Sequence, residues 1–304
     1  MNLHYSKEIF EELIVAASNE LGIPTNIIEK DYYVTIILKA LSEKISDMVF
    51  KGGTSLTKCY HILDRFSEDI DLSYTAESGI PGDSRKRKLK KAVVSAMNEF
   101  DFKIVNLDMT RSRRDYNCYR AIYPSIYGQS NILKTEVVVE TYVALLPFPT
   151  IKCKVDNYIY RFLDKINRID LAERYDLMPF DITTQTIERT LVDKVFAICD
   201  YYLQGKIENH SRHLYDIYKI LNVLNDTEQL TNLIPEVRAV RSRLSICPSA
   251  NDGVSVTNIL NEIIKNQVYR NDYDNITMGL LFIPENYDTV IQGIKQIVEN
   301  GIWN

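Results

Sequence analysis

Apolar positions along this chain follow two different rhythms, and the change between them divides the sequence. Residues 6–45 carry apolar side chains at helical spacing on both sides of Gly22-Ile23-Pro24-Thr25, so they predict two helices with a new start at the proline and threonine. Residues 47–50 read as a short strand, 54–63 as a helix, and 69–74 (Asp-Ile-Asp-Leu-Ser-Tyr) as a strand. An apolar stripe on a basic background predicts a helix over 84–100. Alternation and β-branched content predict strands over 102–109, 117–127 and 131–143. Beyond about Asp170 the rhythm is helical almost to the end, in segments at 183–205, 212–224, 227–244, 256–270 and 288–301. No internal repeat interrupts this order. The pattern predicts an α/β (α+β) fold, with a mixed sheet and flanking helices in residues 1–170 and an all-helical domain in 171–304.

Composition adds constraints. A chain of 304 residues is comfortable with two cores, and its apolar content is that of a globular protein. The net charge of -5 excludes a bulk cationic coat for nucleic acid, though not a local patch. Five scattered cysteines with no C-x-x-C pair suit reduced thiols and form neither a disulfide framework nor a zinc site. The first residues carry acidic side chains inside their apolar run, unlike a signal peptide, and no apolar stretch reaches membrane-spanning length. The expectation is a cytoplasmic protein without a membrane partner.

The chemistry concentrates between Phe50 and Tyr74. In an extended strand, side chains two apart share a face, so Asp69 and Asp71 lie side by side while Ile70 and Leu72 point the other way. Two adjacent carboxylates call for a cation. Mg2+ held by one or two carboxylates plus substrate phosphates suits them, and Mn2+ would serve similarly. Upstream, Gly52-Gly53 stands where a strand turns into a helix, a place where backbone N–H groups can approach a phosphate with no Cβ in the way. Thr54 and Ser55 follow at the helix start. Ser67, two before Asp69, shares the carboxylate face if the strand extends that far. Each motif taken singly has an ordinary reading, a tight turn and a solvated strand face. Together they converge on a nucleoside triphosphate with its metal. The loop is neither G-x-x-x-x-G-K-[ST] nor a dinucleotide fingerprint.

The segments "KGGTSLTK" and "RFSEDIDL" resemble the signature of the nucleotidyltransferase superfamily, and more closely that of its AbiEii/AbiGii toxin branch. The similarity reaches upstream to "EKDYYVTIILKAL" (29–41) and downstream to about residue 221. It implies a nucleotidyltransferase-like sheet and a toxin of an abortive-infection-type toxin–antitoxin pair. It implies NMP transfer from an NTP to an acceptor, with tRNA as the acceptor class and an antitoxin encoded nearby. It further implies that Lys51, Gly52, Gly53, Thr54, Ser55, Arg65, Ser67 and Lys194 meet the nucleotide, and that Asp69 and Asp71 hold the metal and carry catalysis.

Three later features complete the reading. Glu136 and Glu140 share a strand face, and the family's K-[IVL]-[ED] pattern points to Glu136 as a third metal carboxylate. Lys194 interrupts an apolar helical stripe formed by Ile187, Leu191, Ile198 and Tyr202, so it either snorkels to water or turns its charge into a cleft. The resemblance favours a triphosphate contact. Arg212 and Asp216 are helical i, i+4 neighbours, and the resemblance places Asp216 in the catalytic site, to position the acceptor or act as general base, although His213 replaces the family's usual aspartate. The basic run Arg85, Lys86, Arg87, Lys88, Lys90 and Lys91 reads as a solvated face or a contact for acceptor phosphates. Most tyrosines read as core. The rival functions are a kinase-like phosphotransferase using the γ-phosphate and a catalytically silent NTP-binding module.

Overall fold

The two N-terminal helices form as the pattern predicts: α1 (Lys7–Leu21) ends at Gly22, whose φ of 69° is the left-handed turn a helix C-terminus favours, and α2 (Thr25–Lys44) starts after Pro24. A computed structural model describes residues 1–67, 69–74, 82–128, 133–224 and 228–303. The quoted Glu68, and Asn131, Ile132 and Thr227 at the starts of two predicted elements, lie outside the described residues. The chain forms two compact units, residues 1–59 with 67–184, and residues 60–66 with 185–304.

In the first unit, β1 (Met48–Lys51) runs straight into α3 (Gly52–Lys58), and β2 (Asp69–Tyr74) is followed by α4 (Asp83–Glu99). Then come β3 (Lys103–Ile104), β4 (Tyr116–Ile122), β5 (Glu136–Tyr142), β6 (Thr150–Val155), α5 (Tyr158–Lys165), α6 (Ile169–Arg174) and β7 (Phe180–Gln185). They build one seven-stranded mixed sheet in the order β3-β4-β5-β2-β1-β7-β6. β2 is antiparallel to β1 and parallel to β5, and β5 is antiparallel to β4.

Three predicted strands are shorter than expected, the first two for a local reason. Past Ile104 the side chain of Asn106 takes over the ladder, donating to the Cys118 carbonyl and accepting from the Arg120 N–H, and a 3-10 turn follows at Leu107–Met109. Pro124, which has no N–H to give, stands just beyond the end of β4. The strand read from 131 starts at Glu136. β6 and β7 were not anticipated. β7 lies inside the stretch read as helical, and its signal was the alternation of Ile182 and Thr184, both buried, with Asp181 and Thr183.

One sheet face is dry. Ile70, Leu72, Tyr119, Ala121, Val137 and Val139 are at most 1% exposed, and α2 packs on β2 and β5. Each such side chain contributes roughly 1.5–3 kcal/mol by burial. The opposite face carries Asp69, Asp71, Cys118, Arg120, Glu136, Val138 and Glu140, all half-buried.

The second unit is helical: α7 (Ile187–Leu203), α8 (Arg212–Leu221), α9 (Glu228–Arg241), α10 (Val256–Lys265), α11 (Arg270–Asn275) and α12 (Tyr287–Glu299). Thr186 caps α7 by accepting from the Arg189 N–H. Residues 60–66, read in part as helix, are instead an irregular segment docked within this unit. The Phe66 N–H donates to the Leu280 carbonyl, and the Phe282 N–H to that of Asp64. Among the described residues no helix is long and apolar enough to cross a membrane.

Candidate active site

Strand register assembles the carboxylate face. Lys51 pairs with Asp71, Asp71 with Glu140, and Glu140 with Cys118, so these four form one row across β1, β2, β5 and β4. The neighbouring row is Asp69, Val138 and Arg120. Side chains facing each other in such rows have Cβ atoms about 4.5–5.5 Å apart. Asp71 and Glu140 are therefore direct neighbours, while Glu136 sits diagonally from Asp69. Arg120 grips Glu136 with Nη2 2.7 Å and Nε 3.1–3.2 Å from its oxygens. Glu140 accepts from the Tyr116 hydroxyl at 2.9 Å. Both glutamates are on the face, and register makes Glu140 the one beside Asp71.

The glycine pair has a reason that spacing alone did not show. Gly52 has φ of 80°, and a Cβ built on it would lie 2.0 Å from Asp71 Oδ2 and 2.8 Å from its Cγ. The Asp71 carboxylate occupies the space a side chain would fill, at the first residue of α3. Gly52→Ala is therefore expected to add a backbone strain of about 1–2 kcal/mol and to push Asp71 out of place, costing transfer at least tenfold. Thermal unfolding and transfer assays on one preparation check this. Wild-type activity in that variant would show that the position of Asp71 is immaterial.

The three hydroxyls assigned to the nucleotide tie the loop together. Thr54 Oγ1 and Ser67 Oγ lie 2.8 Å apart, linking α3 to the residues before β2, and the buried Ser55 donates to the Gly52 carbonyl at 2.8 Å. Lys51 lies with its ammonium 5.6 Å from the Tyr142 ring centroid.

Sequence reading passed over the charges of Glu29, Lys30 and Asp31, which the resemblance only quoted. All three are at most 7% exposed. Glu29 accepts from Ser125 Oγ and the Ile126 N–H, each at 2.6 Å. Asp31 receives the Lys58 ammonium at 2.6 Å and the Tyr158 N–H at 3.0 Å, fastening the end of α3 and the start of α5. Lys30 donates to the Lys134 carbonyl at 3.0 Å. Burial pushes its ammonium down to about 8, opposed by the charges of Asp69 and Glu136, so it lies behind the carboxylate face. Three consecutive charges in an apolar helix were the available signal.

The second unit holds its own cluster. Arg65 Nε is 2.6 Å from Asp216 Oδ1, and its Nη2 2.7 Å from Oδ2. Lys194 Nζ is 2.6 Å from the same Oδ2. Lys194 thus does not run to water. Burial pushes Asp216 upward, but Arg65 and Lys194 outweigh it and hold the carboxyl well below the usual carboxylate range. Burial pulls Lys194 down, Asp216 opposes it, and Arg65 adds to the pull. With both oxygens taken and its pKa so low, Asp216 is a poor proton acceptor. Arg212, its helical neighbour, was the partner expected from spacing; Arg65 takes that place. His213 is driven well below its usual pKa by burial, then by Lys194 and Arg212.

The model of the family described as nucleotidyl transferase AbiEii toxin, type IV toxin–antitoxin system, matches residues 36–293. The chain belongs to this family, and is a nucleotidyltransferase toxin of a type IV toxin–antitoxin system, which entails an NTP substrate and an antitoxin partner. MenT4, a nucleotidyltransferase toxin from Mycobacterium tuberculosis H37Rv, is similar in structure at a TM-score of 0.48 and 16% identity, over 95% of this chain and 97% of that one. No curated protein matches the chain.

Proposed function

We propose that the chain transfers a nucleoside monophosphate from an NTP to the hydroxyl of an RNA acceptor, tRNA being the favoured class, with Mg2+ or Mn2+ at Asp69 and Asp71. The observation that carries this reading is the Asp71 carboxylate seated against the missing side chain of Gly52, with Asp69 on the same strand face. The residues fit the metal. Mg2+ keeps several waters and is bound through one or two carboxylates plus substrate phosphates, which this pair supplies without an all-protein cage. Among the described residues no group of three His, Cys, Asp or Glu side chains is arranged as such a cage. When bound, the cation neutralises charge on the phosphates and polarises the α-phosphorus.

The chain's own residues do the rest. Gly52 makes room for the Asp71 carboxylate, and Gly53, Lys51, Thr54, Ser55 and Ser67 lie around the triphosphate. The acceptor oxygen bonds to the α-phosphorus as the bond to the pyrophosphate oxygen breaks, so positioning and charge stabilisation supply most of the rate. Arg65, Lys194 and Asp216 act as a positioning triad. They fix residues 60–66, from which the chain passes through Ser67 into β2. The biological outcome is inhibition of host growth, relieved by an antitoxin encoded alongside.

Incubation of the purified protein with total RNA and each α-labelled NTP tests this. Label is expected in RNA of tRNA size with one NTP preferred, lost with EDTA and restored by Mg2+. RNA that stays unlabelled with all four NTPs overturns the reading. The third carboxylate is tested in the same assay. We expect Glu140→Gln to lower transfer tenfold or more, because Glu140 is the register neighbour of Asp71. Glu136→Gln should disturb mainly its half-exposed pair with Arg120, worth under about 1 kcal/mol. Equal losses would make Glu136 an equal candidate for the third carboxylate.

A further inference from the structure

The basic run on α4 is half of a larger surface. Lys90 Nζ donates to the Thr110 carbonyl at 3.0 Å, and Lys86 pairs with Asp115 at 2.5 Å, so two lysines of α4 hold down the loop that leads into β4. The buried Asn117 side chain brackets that loop, accepting from the Arg111 N–H at 2.8 Å and donating to the Arg111 carbonyl at 3.0 Å. With the loop fixed, Arg85, Arg87, Lys88 and Lys91 of α4 and Arg111, Arg113 and Arg114 of the loop are all exposed. Among the exposed described residues of these two segments, Asp83 and Glu99 of α4 and Asp108 and Asp115 of the loop oppose them. This is a local excess of positive charge on a chain whose net charge is -5.

The surface meets the carboxylate face at β4. Tyr74 at the end of β2 lies on the dry face with Ile70 and Leu72, and its hydroxyl donates to the Arg85 carbonyl at 3.1 Å, which fastens the first turn of α4 to the strand end, three residues or about 10 Å beyond Asp71. Two residues after Arg114, Tyr116 opens β4, and its hydroxyl donates to Glu140 in the Asp71 row. Tyr116 is 48% exposed and Met109, on the loop, 68%. Fixed cations that follow a strand end, with an exposed ring and thioether among them, match a polynucleotide better than a compact anion. Phosphates meet the arginines and an unstacked base meets the ring.

We propose that α4 and residues 108–114 bind the sugar–phosphate backbone of the RNA acceptor and lead its reactive end to Asp69 and Asp71. This rests on the transferase reading above. The test uses the full chain, a fluorescein-labelled mixed-sequence RNA 20-mer and titrations at several salt concentrations. Arg111→Glu/Arg113→Glu/Arg114→Glu is expected to weaken RNA binding at least tenfold and to flatten the plot of log affinity against log salt by about 2, at about 0.7 per lost phosphate contact. NTP affinity should be unchanged. Arg85→Glu/Arg87→Glu/Lys88→Glu, on a different element, should do the same. Unchanged RNA affinity and salt slope in both variants overturns the proposal. So does retained RNA binding with lost relief by the antitoxin, which would assign the surface to a protein. RNA binding that needs these residues, with no NMP transfer by the wild type, upholds the surface and sinks the transferase reading, so the two failures are distinguishable.

Discussion

Asp71→Asn is expected to abolish nucleotide transfer and host toxicity, a loss on the order of 10³-fold or more, while the protein stays folded. Asn has the shape of Asp, so it still fits against Gly52, where a Cβ would come within 2.0 Å of the present Oδ2. What it removes is one negative charge from a face that also holds Asp69, Glu136 and Glu140. Neighbouring like charges disfavour the ionised state, so the change should leave stability unaltered or slightly raised. Asp69→Asn should behave alike. Transfer assays beside melting curves check both variants. Near-wild-type activity with Mg2+ in either would remove that carboxylate from the metal site.

Asp216→Asn is expected to be the most destabilising of the site changes, by about 3–5 kcal/mol, because it leaves Arg65 and Lys194 buried without their anion. Lys194→Met should cost less, since the two-pronged Arg65–Asp216 contact survives it. The pH dependence follows from the depressed carboxyl. A group whose pKa is lower folded than unfolded stabilises fully above its unfolded value, near 4, and loses that contribution as the pH falls through the lower native value. The contribution of the Asp216 carboxylate is thus constant above about pH 5 and declines only in acid. Asp216→Asn should lack that acid limb. Chemical unfolding at several pH values measures both effects. Equal stability of wild type and Asp216→Asn at pH 7 would mean the triad is not a structural anchor.

Much of this fold was legible because its cause is local. The strand Asp69–Tyr74 appears with the bounds that alternation predicts, and α1 and α2 break where Gly22 and Pro24 dictate. The two-residue period that put Asp69 and Asp71 on one face is a property of any strand. What stayed hidden depends on partners distant in the chain. Asp216 seemed to belong to Arg212, one helical turn away, and belongs to Arg65, 151 residues away. Register chose Glu140 as the neighbour of Asp71, and no spacing within β5 could show which strand would lie beside it. The charges of Glu29, Lys30 and Asp31 looked like helix polarity and are buried anchors. β7 was lost because its threonines and lone isoleucine sit against a strongly helical run that dominated the window.

The most direct test is a parallel reaction of the wild type with total RNA and the preferred NTP, labelled at the α-phosphate in one tube and at the γ-phosphate in the other, with Asp71→Asn as control. Label from the α position alone is expected in RNA, with γ label released as pyrophosphate and neither reaction proceeding in the variant. Label transferred from the γ position, or α labelling that persists in Asp71→Asn, would contradict nucleotidyl transfer at this carboxylate face.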